Sequence, residues 1–141
     1  MQTVLVVDDD EISRRAICTA LARRYRVLEA QSGAEAERLS ELHKHALHLL
    51  VADVLMPVAY GTEVARTIGR LCPELPVLFV SGSPMELLVR EHILVPEEFE
   101  GRAVLFLQKP FRVQALYTKV EETLQLAQYR SLRGAAQKQM Q

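Results

Sequence analysis

With 141 residues, the chain is long enough for one domain with a buried core and too short for two independent ones. Its 17 basic and 18 acidic side chains nearly cancel, so no overall field indicates nucleic acid or an anionic membrane as a partner. No apolar stretch reaches the roughly 18 residues of a membrane span, and the isolated Cys18 and Cys72 favour reduced thiols, so a cytoplasmic protein is expected.

The first predicted strand ends in a run of acid. Thr3 to Val7 is an unbroken apolar and β-branched stretch, and Asp8-Asp9-Asp10-Glu11 follows it directly. Between Ile12 and Arg24, apolar residues recur at helical spacing, which predicts the first helix. The other positions of that helix carry arginines, and we assign Arg14 and Arg15 to a solvated face.

The third predicted strand delivers a single carboxylate. It follows a short polar strand at Arg26 to Ala30, which suits a sheet edge, and a second helix. Leu49 to Asp53 is apolar up to its last residue, and Pro57 prevents the run from continuing as a strand. A loop then leads to the third helix, which begins at Gly61 and is stopped by Pro73.

The fourth strand and helix are marked by the residues between them. Pro76 to Val80 has the pattern of a buried strand and ends in Ser81-Gly82. Ser83 can cap the next helix, Pro84 suits its first position, and Glu86 stands three residues after the cap, so a capping box is predicted.

The last part of the chain begins with an irregular connection. The apolar pattern is lost from Ile93 to Arg102, where at most a helical turn is expected. Ala103 to Leu107 forms the fifth strand, and apolar residues at helical spacing from Val113 to Ala127 predict the last helix. We expect a domain at 1–128 and, at 129–141, a polar tail at the end of that helix that frays.

Strands that alternate with helices five times predict a three-layer α/β fold, with a parallel sheet covered on both faces. The carboxyl ends of parallel strands share one edge, where ligands bind. Five side chains from distant parts of the chain follow those ends: Asp8, Asp9, Asp53, Ser81 and Lys109. Three close carboxylates either raise some pKa values or hold a hard cation, for which Mg²⁺ is the natural choice. A carboxylate beside Mg²⁺, a lysine and a hydroxyl suits phosphoryl transfer, with Asp53 as the nucleophile that forms an acyl phosphate.

Four motifs in order resemble the receiver domains of two-component response regulators, over about Thr3 to Ala127. The matching pieces are Val6-Val7-Asp8-Asp9-Asp10, Asp53-Val54-Leu55-Met56-Pro57 with Gly61 downstream, Val80-Ser81-Gly82 and Lys109-Pro110-Phe111. Any one piece is a weak signal, but the ordered set is specific. The resemblance implies a flavodoxin-like receiver fold, a five-stranded parallel sheet in the order 2-1-3-4-5.

The resemblance also implies a metal site. Asp9, Asp53 and the backbone carbonyl of Leu55 would bind Mg²⁺ directly, and Asp8 would act through a bound water molecule. The protein would be a phosphoacceptor switch and not a conventional enzyme, catalysing only its own phosphorylation and dephosphorylation.

The other matched residues would sense and transmit phosphorylation. Ser81 and Lys109 would each contact a phosphoryl oxygen, and the Lys109–Pro110 peptide bond would be cis. Phe106 falls at the family's switch aromatic, so Ser81 and Phe106 would move together and change the face of the fourth helix, fifth strand and fifth helix. The implied partners are a sensor histidine kinase or histidine phosphotransfer protein and a downstream protein, with the chain as a monomer or weak homodimer.

Two features set this chain apart from most receivers. The interval from Ser81 to Lys109 is several residues longer, which adds surface between Ile93 and Arg102. The stretches around Ser81 and Lys109 resemble the receivers of hybrid histidine kinases more than those of DNA-binding regulators. The chain could be a free-standing receiver or one from a longer protein.

Other interpretations of the same residues stay open. Asp8 to Asp10 could serve only to cap the first helix, because carboxylates favour a helix N-terminus. Val6 to Asp10 together with Phe79 to Ser81 also resembles a phosphatase of the haloacid dehalogenase type, which needs an acidic pair on a later strand, and no such strand is predicted beyond Lys109. A pseudo-receiver, an interaction domain that does not use phosphate, is the third alternative.

Overall fold

The computed structural model describes residues 1–140 and has the predicted three-layer α/β fold. Its five strands form one parallel sheet in the order β2-β1-β3-β4-β5. The strands are β1 (Thr3–Val7), β2 (Arg26–Ala30), β3 (Leu47–Asp53), β4 (Val77–Ser81) and β5 (Val104–Gln108). The helices are α1 (Glu11–Leu21), α2 (Gly33–His43), α3 (Gly61–Leu71), α4 (Met85–Arg90) and α5 (Val113–Met140), with a 3₁₀ helix at Pro96–Phe99. Within residues 1–140, no helix combines the length and apolar character needed to cross a membrane.

Successive side chains of the buried strands point to two apolar clusters, one on each face of the sheet. From β1, Leu5 and Val7 join the cluster completed by α2, α3 and α4, whereas Val4 and Val6 join the one completed by α1 and α5. Every residue of β1 is buried, and so are the last five residues of β3. The two central strands therefore hold their carboxyl ends in fixed positions.

A close approach at Gly61 fixes the loop that follows β3. The backbone N–H of Gly61 donates to the carbonyl of Val54 at 2.8 Å. A Cβ at this position would collide with the backbone carbonyl of Asp53, so only glycine lets α3 begin this near to β3. The loop is consequently anchored beside the last residue of β3.

The predicted capping box at the start of α4 is wrong. The helix begins at Met85. Its N-cap residue is Pro84, which has an extended backbone and makes no side-chain hydrogen bond to the helix. Ser83 instead donates its backbone N–H to the hydroxyl oxygen of Ser81 at 3.1 Å. The helix lacks the predicted side-chain cap and starts one residue later than predicted.

The first helix differs from the sequence expectation, whereas the last one extends over the predicted tail. Helix α1 ends at Leu21 and not near Arg24, and Arg14 is buried rather than solvated. Helix α5 continues through 129–140, which we expected at the end of that helix, and the fraying of this segment stays a prediction. The alanine, leucine, glutamine and arginine residues of that segment are strong helix formers, which explains the continuation past Gly134.

The long connection between α4 and β5 packs onto the domain. The predicted helical turn is present as the 3₁₀ helix, and Phe99 within it is 4% exposed. Its ring meets Phe79 edge-on, with centroids 5.4 Å apart. The guanidinium of Arg102 donates to the carbonyls of Ala65 and Leu75, both at 3.0 Å. This connection is therefore part of the core as well as of the surface.

We expect Gly61→Ala to lower the free energy of unfolding by about 2 kcal/mol or more, because the new Cβ meets backbone that cannot move aside. Gly134→Ala is the matched control, since a Cβ there has no neighbour within 4 Å. That change should be neutral or stabilise α5 by up to about 1 kcal/mol. Urea unfolding followed by circular dichroism measures both, and a Gly61→Ala protein as stable as the wild type would contradict the close approach.

Candidate functional site

The strand ends bring the predicted site residues together. Asp8 and Asp9 directly follow β1, Asp53 is the last residue of β3, and Ser81 is the last residue of β4. Lys109 follows β5, and its backbone N–H donates to the carbonyl of Ser81 at 2.8 Å. Residues that are tens of positions apart in the chain therefore meet at one edge of the sheet.

Three carboxylates form the acidic part of the site. Asp8, Asp9 and Asp53 each offer an oxygen atom, and these atoms lie within 4.8 Å of one another. Asp8 is fully buried and Asp53 is 7% exposed, whereas Asp9 faces solvent. Asp10 is the N-cap of α1, since its carboxylate accepts the backbone N–H of Ser13 at 3.0 Å. Helix capping thus accounts for Asp10 but not for the cluster.

One ammonium group offsets part of this charge. The Nζ atom of Lys109 lies 3.1 Å from Oδ2 of Asp8 and 3.5 Å from Oδ1 of Asp53. The peptide bond between Lys109 and Pro110 is cis. Lys109 therefore bridges the two most buried carboxylates of the site.

The other predicted site residues, Ser81, Leu55 and Phe106, differ in burial and in position along the chain. Ser81 is fully buried, and its hydroxyl oxygen accepts the backbone N–H of Ser83. Leu55 lies two residues beyond Asp53, in the loop after β3, and is 41% exposed. Phe106 lies inside β5 and packs, half-buried, against the apolar cluster that contains Phe79. Phe106 is therefore part of the core near the site and not part of the acidic cluster.

Burial dominates the electrostatics of Asp53. Its removal from water raises the pKa of this carboxyl group to about 6, an effect that Lys109 opposes and Asp8 reinforces. At neutral pH, Asp53 is therefore ionised at a cost in free energy. The ionised form is the one that a nucleophile or a cation ligand requires.

The donor set fits a hard divalent cation. Carboxylate oxygens are preferred ligands of Mg²⁺, which binds through one or two carboxylates and keeps several water molecules. Asp8 and Asp53 are buried and Asp9 is exposed, so the cluster offers oxygen ligands on its protein side and access to solvent on the other. One ammonium group against three carboxylates leaves negative charge that a cation would neutralise.

Sequence reasoning missed the arginine that supports this site. The Nε atom of Arg14 donates to Oε1 of Glu29 at 2.7 Å, and its Nη1 donates to the backbone carbonyl of Asp8 at 2.9 Å. The hydrogen bond from Arg14 lowers the pKa of Glu29. A signal for this burial was available, because Arg14 shares the spacing i, i+3, i+7 with Ile17 and Leu21 on the core face of α1.

Comparison with known proteins gives consistent matches along most of the chain. A family model described as the response regulator receiver domain matches residues 4–121. The response regulator receiver protein CpdR of Brucella abortus is 32% identical over 126 residues, which cover 88% of this chain and 98% of that protein. The sensor kinase CckA of the same organism is 34% identical over 124 residues, 87% of this chain but 12% of the kinase. The chain thus spans nearly all of one relative and a small part of the other.

Solved structures share the same architecture. The crystal structure of the receiver domain from the hybrid histidine kinase CckA aligns with a TM-score of 0.69 at 29% identity, covering 86% of this chain and 98% of that one. A response regulator receiver domain protein from Clostridium thermocellum aligns with a TM-score of 0.77, covering 92% of this chain and 98% of that one. Its identity is 23%, so it supports the fold alone.

We expect Asp53→Asn to stabilise the cation-free protein at neutral pH. The folded-state pKa of about 6 lies above the ordinary value of 3.8, so ionised Asp53 destabilises the fold above about pH 6 and not below about pH 4. The variant should gain about 1–3 kcal/mol in the free energy of unfolding at pH 7.5 and little at pH 4.

Urea unfolding in the presence of a chelator at the two pH values measures this difference. Asp10→Asn is the control, since asparagine caps a helix as well as aspartate does and Asp10 is exposed. An equal gain for Asp53→Asn at both pH values would show that burial of the charge is not its cause.

Proposed function

The chain belongs to the response regulator receiver domain family, and we propose that it is a phosphorylation-dependent signalling switch. In this proposal, Asp53 accepts a phosphoryl group from a phosphohistidine of a sensor kinase or a histidine phosphotransfer protein. The observation that carries the proposal is the position of Asp53, a nearly buried carboxylate 3.5 Å from the Lys109 ammonium and clustered with Asp8 and Asp9. Phosphoryl transfer depends mainly on such positioning and charge stabilisation.

In the proposed transfer, a carboxylate oxygen of Asp53 attacks the phosphorus atom. A P–O bond forms, the P–N bond breaks, and its electron pair stays on the imidazole nitrogen that departs. The Lys109 ammonium, already 3.5 Å from Asp53, would pair with one phosphoryl oxygen. Ser81 would donate to another, since its oxygen is the acceptor in the contact with Ser83 and its O–H can be directed elsewhere.

We propose Mg²⁺ as the cofactor of this reaction. Asp9, Asp53 and the backbone carbonyl of Leu55 would hold it, and Asp8 would act through a water molecule. When bound, the cation would neutralise charge on the carboxylates and on the phosphoryl oxygens. The close oxygen cluster and its unbalanced negative charge support this assignment.

We propose that Ser81 and Phe106 couple phosphorylation to an output face. Phe106 lines a groove of about 480 Å³ between α4, the 3₁₀ helix, β5 and α5, together with Met85, Phe99 and Lys119. Rotation of the Phe106 ring would reshape this groove, which a downstream protein would read. The switch would act in the cytoplasm as a monomer or weak homodimer, between a kinase or phosphotransfer protein and that downstream protein.

The phosphatase alternative is set aside by the match to the receiver family over residues 4–121. A haloacid dehalogenase would also leave Asp53 without a role. The protein is therefore proposed as a switch whose only chemistry is its own phosphorylation and dephosphorylation. The pseudo-receiver, which has no such chemistry, is the alternative that the next experiment separates.

Incubation with Mg²⁺ and a small acyl-phosphate donor should add one phosphoryl group, detected as an increase in intact mass. The increase should vanish in Asp53→Asn, which lacks the proposed acceptor, and in the presence of a chelator, which removes the proposed Mg²⁺ cofactor. Asp10→Asn should be phosphorylated like the wild type. If neither the small donor nor a phosphorylated histidine kinase modifies the wild type, the pseudo-receiver replaces the proposal.

Millimolar Mg²⁺ should raise the urea midpoint of the wild type, because a cation that binds only the folded state stabilises it. Asp9→Asn should lose most of this increase, since the proposal makes Asp9 a direct ligand. The neighbouring Asp10→Asn should keep it, since Asp10 caps α1. An increase of equal size in both variants would remove Asp9 from the proposed ligand set.

A further inference from the structure

Every polar group of Asp8 has a partner. Its backbone N–H donates to Ala30 at 3.2 Å, and its carboxylate accepts from Asp10 at 3.0 Å and from Lys109 at 3.1 Å. Its backbone carbonyl accepts from the Arg14 guanidinium at 2.9 Å. Asp8 is fully buried, so in this structure these contacts take the place of hydrogen bonds to bulk solvent.

Arg14 is itself held from two sides. Glu29 of β2 accepts from its Nε at 2.7 Å, and the Arg14 side chain is only 9% exposed. Its backbone N–H donates to the carbonyl of Asp10 at 2.8 Å. The guanidinium therefore joins α1, β2 and the end of β1 at one point beside the acidic cluster.

We propose that Arg14 is a positioning residue for the cation and phosphoryl site, an inference that rests on the function proposed above. A peptide group is planar, so fixing the carbonyl of Asp8 also fixes the orientation of the peptide that joins Asp8 to Asp9. The Asp9 side chain is exposed and depends on that backbone for its direction. Through the backbone, Arg14 thus sets where Asp9 presents its carboxylate.

The direction in which Mg²⁺ affinity changes when Arg14 is replaced distinguishes positioning from simple electrostatics. Arg14 is a cation near the acidic cluster, so its positive charge alone would repel Mg²⁺. Removing the charge should then tighten Mg²⁺ binding. If Arg14 acts by positioning Asp9, the same removal weakens binding instead.

The chain contains a matched control in Arg15. Its Nη1 donates to the other oxygen of the same Glu29 at 2.9 Å, but its side chain is 62% exposed. The Arg15 guanidinium is not among the partners of the Asp8 carbonyl, which accepts from Arg14. Arg14→Met and Arg15→Met therefore remove the same charge and a bond to the same glutamate, and only the first removes the contact with Asp8.

The test measures the Mg²⁺ dissociation constant by calorimetry and the rate of phosphorylation by intact mass at low and saturating Mg²⁺. Arg14→Met should weaken Mg²⁺ binding by about tenfold, the lower end of the effect of residues that orient metal ligands. Its rate should fall at low Mg²⁺ and recover partly at saturation. Arg15→Met should bind Mg²⁺ within about twofold of the wild type, and Arg14→Lys, which keeps the charge without the paired contacts, should be intermediate.

Urea unfolding of each variant distinguishes positioning from loss of fold. Should Arg14→Met fail to fold, Arg14→Lys and Glu29→Gln carry the test, since both loosen the guanidinium contact and should weaken Mg²⁺ binding in the same direction. A folded Arg14→Met with unchanged or tighter Mg²⁺ binding, or an equal loss in Arg15→Met, would overturn the inference while leaving the proposed function intact. A wild type that takes up neither Mg²⁺ nor a phosphoryl group would overturn both.

Discussion

The main physical constraint on this protein is a cluster of like charges, which the fold holds at the edge of a buried sheet. Two of its three carboxylates, Asp8 and Asp53, are almost or fully removed from water, where charge repulsion is screened least. Lys109 contacts both of them and reduces the repulsion, but one positive charge cannot balance three negative ones. The raised pKa of Asp53 reflects this cost, to which burial contributes most and repulsion from Asp8 adds. This unfavourable free energy favours ligand binding. A cation that neutralises the carboxylates relieves their repulsion, and that relief adds to its affinity.

Such a cluster needs a scaffold that does not relax. The apolar side chains of β1 and β3 pack against helices on both faces, so their ends cannot move apart without exposing the core. Polar contacts complete the frame at the edge, through Arg14 on the carbonyl of Asp8 and through the backbone N–H of Lys109 on Ser81. Hydrophobic packing therefore sets the coarse position of the carboxylates, and buried hydrogen bonds set their orientation.

The long connection between α4 and β5 packs onto the domain and distinguishes this chain from most receivers. Phe99 enters the core beside Phe79, and Arg102 crosses to carbonyls at Ala65 and Leu75. The absence of a side chain at Gly69 makes room for the guanidinium, since a Cβ there would lie 2.6 Å from its Nη1. The extra residues thus form one wall of the groove that Phe106 lines, and the contacts of Phe99 and Arg102 hold that wall in place.

The sequence by itself determined the order of strands and helices and the five residues at the strand ends, because apolar runs and the residues that stop them are local signals. It also gave the family, since the motifs occur in order. Only the tertiary structure decided that Arg14 is buried against Glu29 and Asp8, that Ser83 turns back to Ser81, and that Phe99 joins the core. The contacts of Arg14 and Phe99 join residues that are distant in the chain or in separate elements, whereas Ser83 turns back over only two residues. Periodicity places a residue on a face, but the free energy of burying an arginine or a phenylalanine is settled by the partners that the fold brings to it.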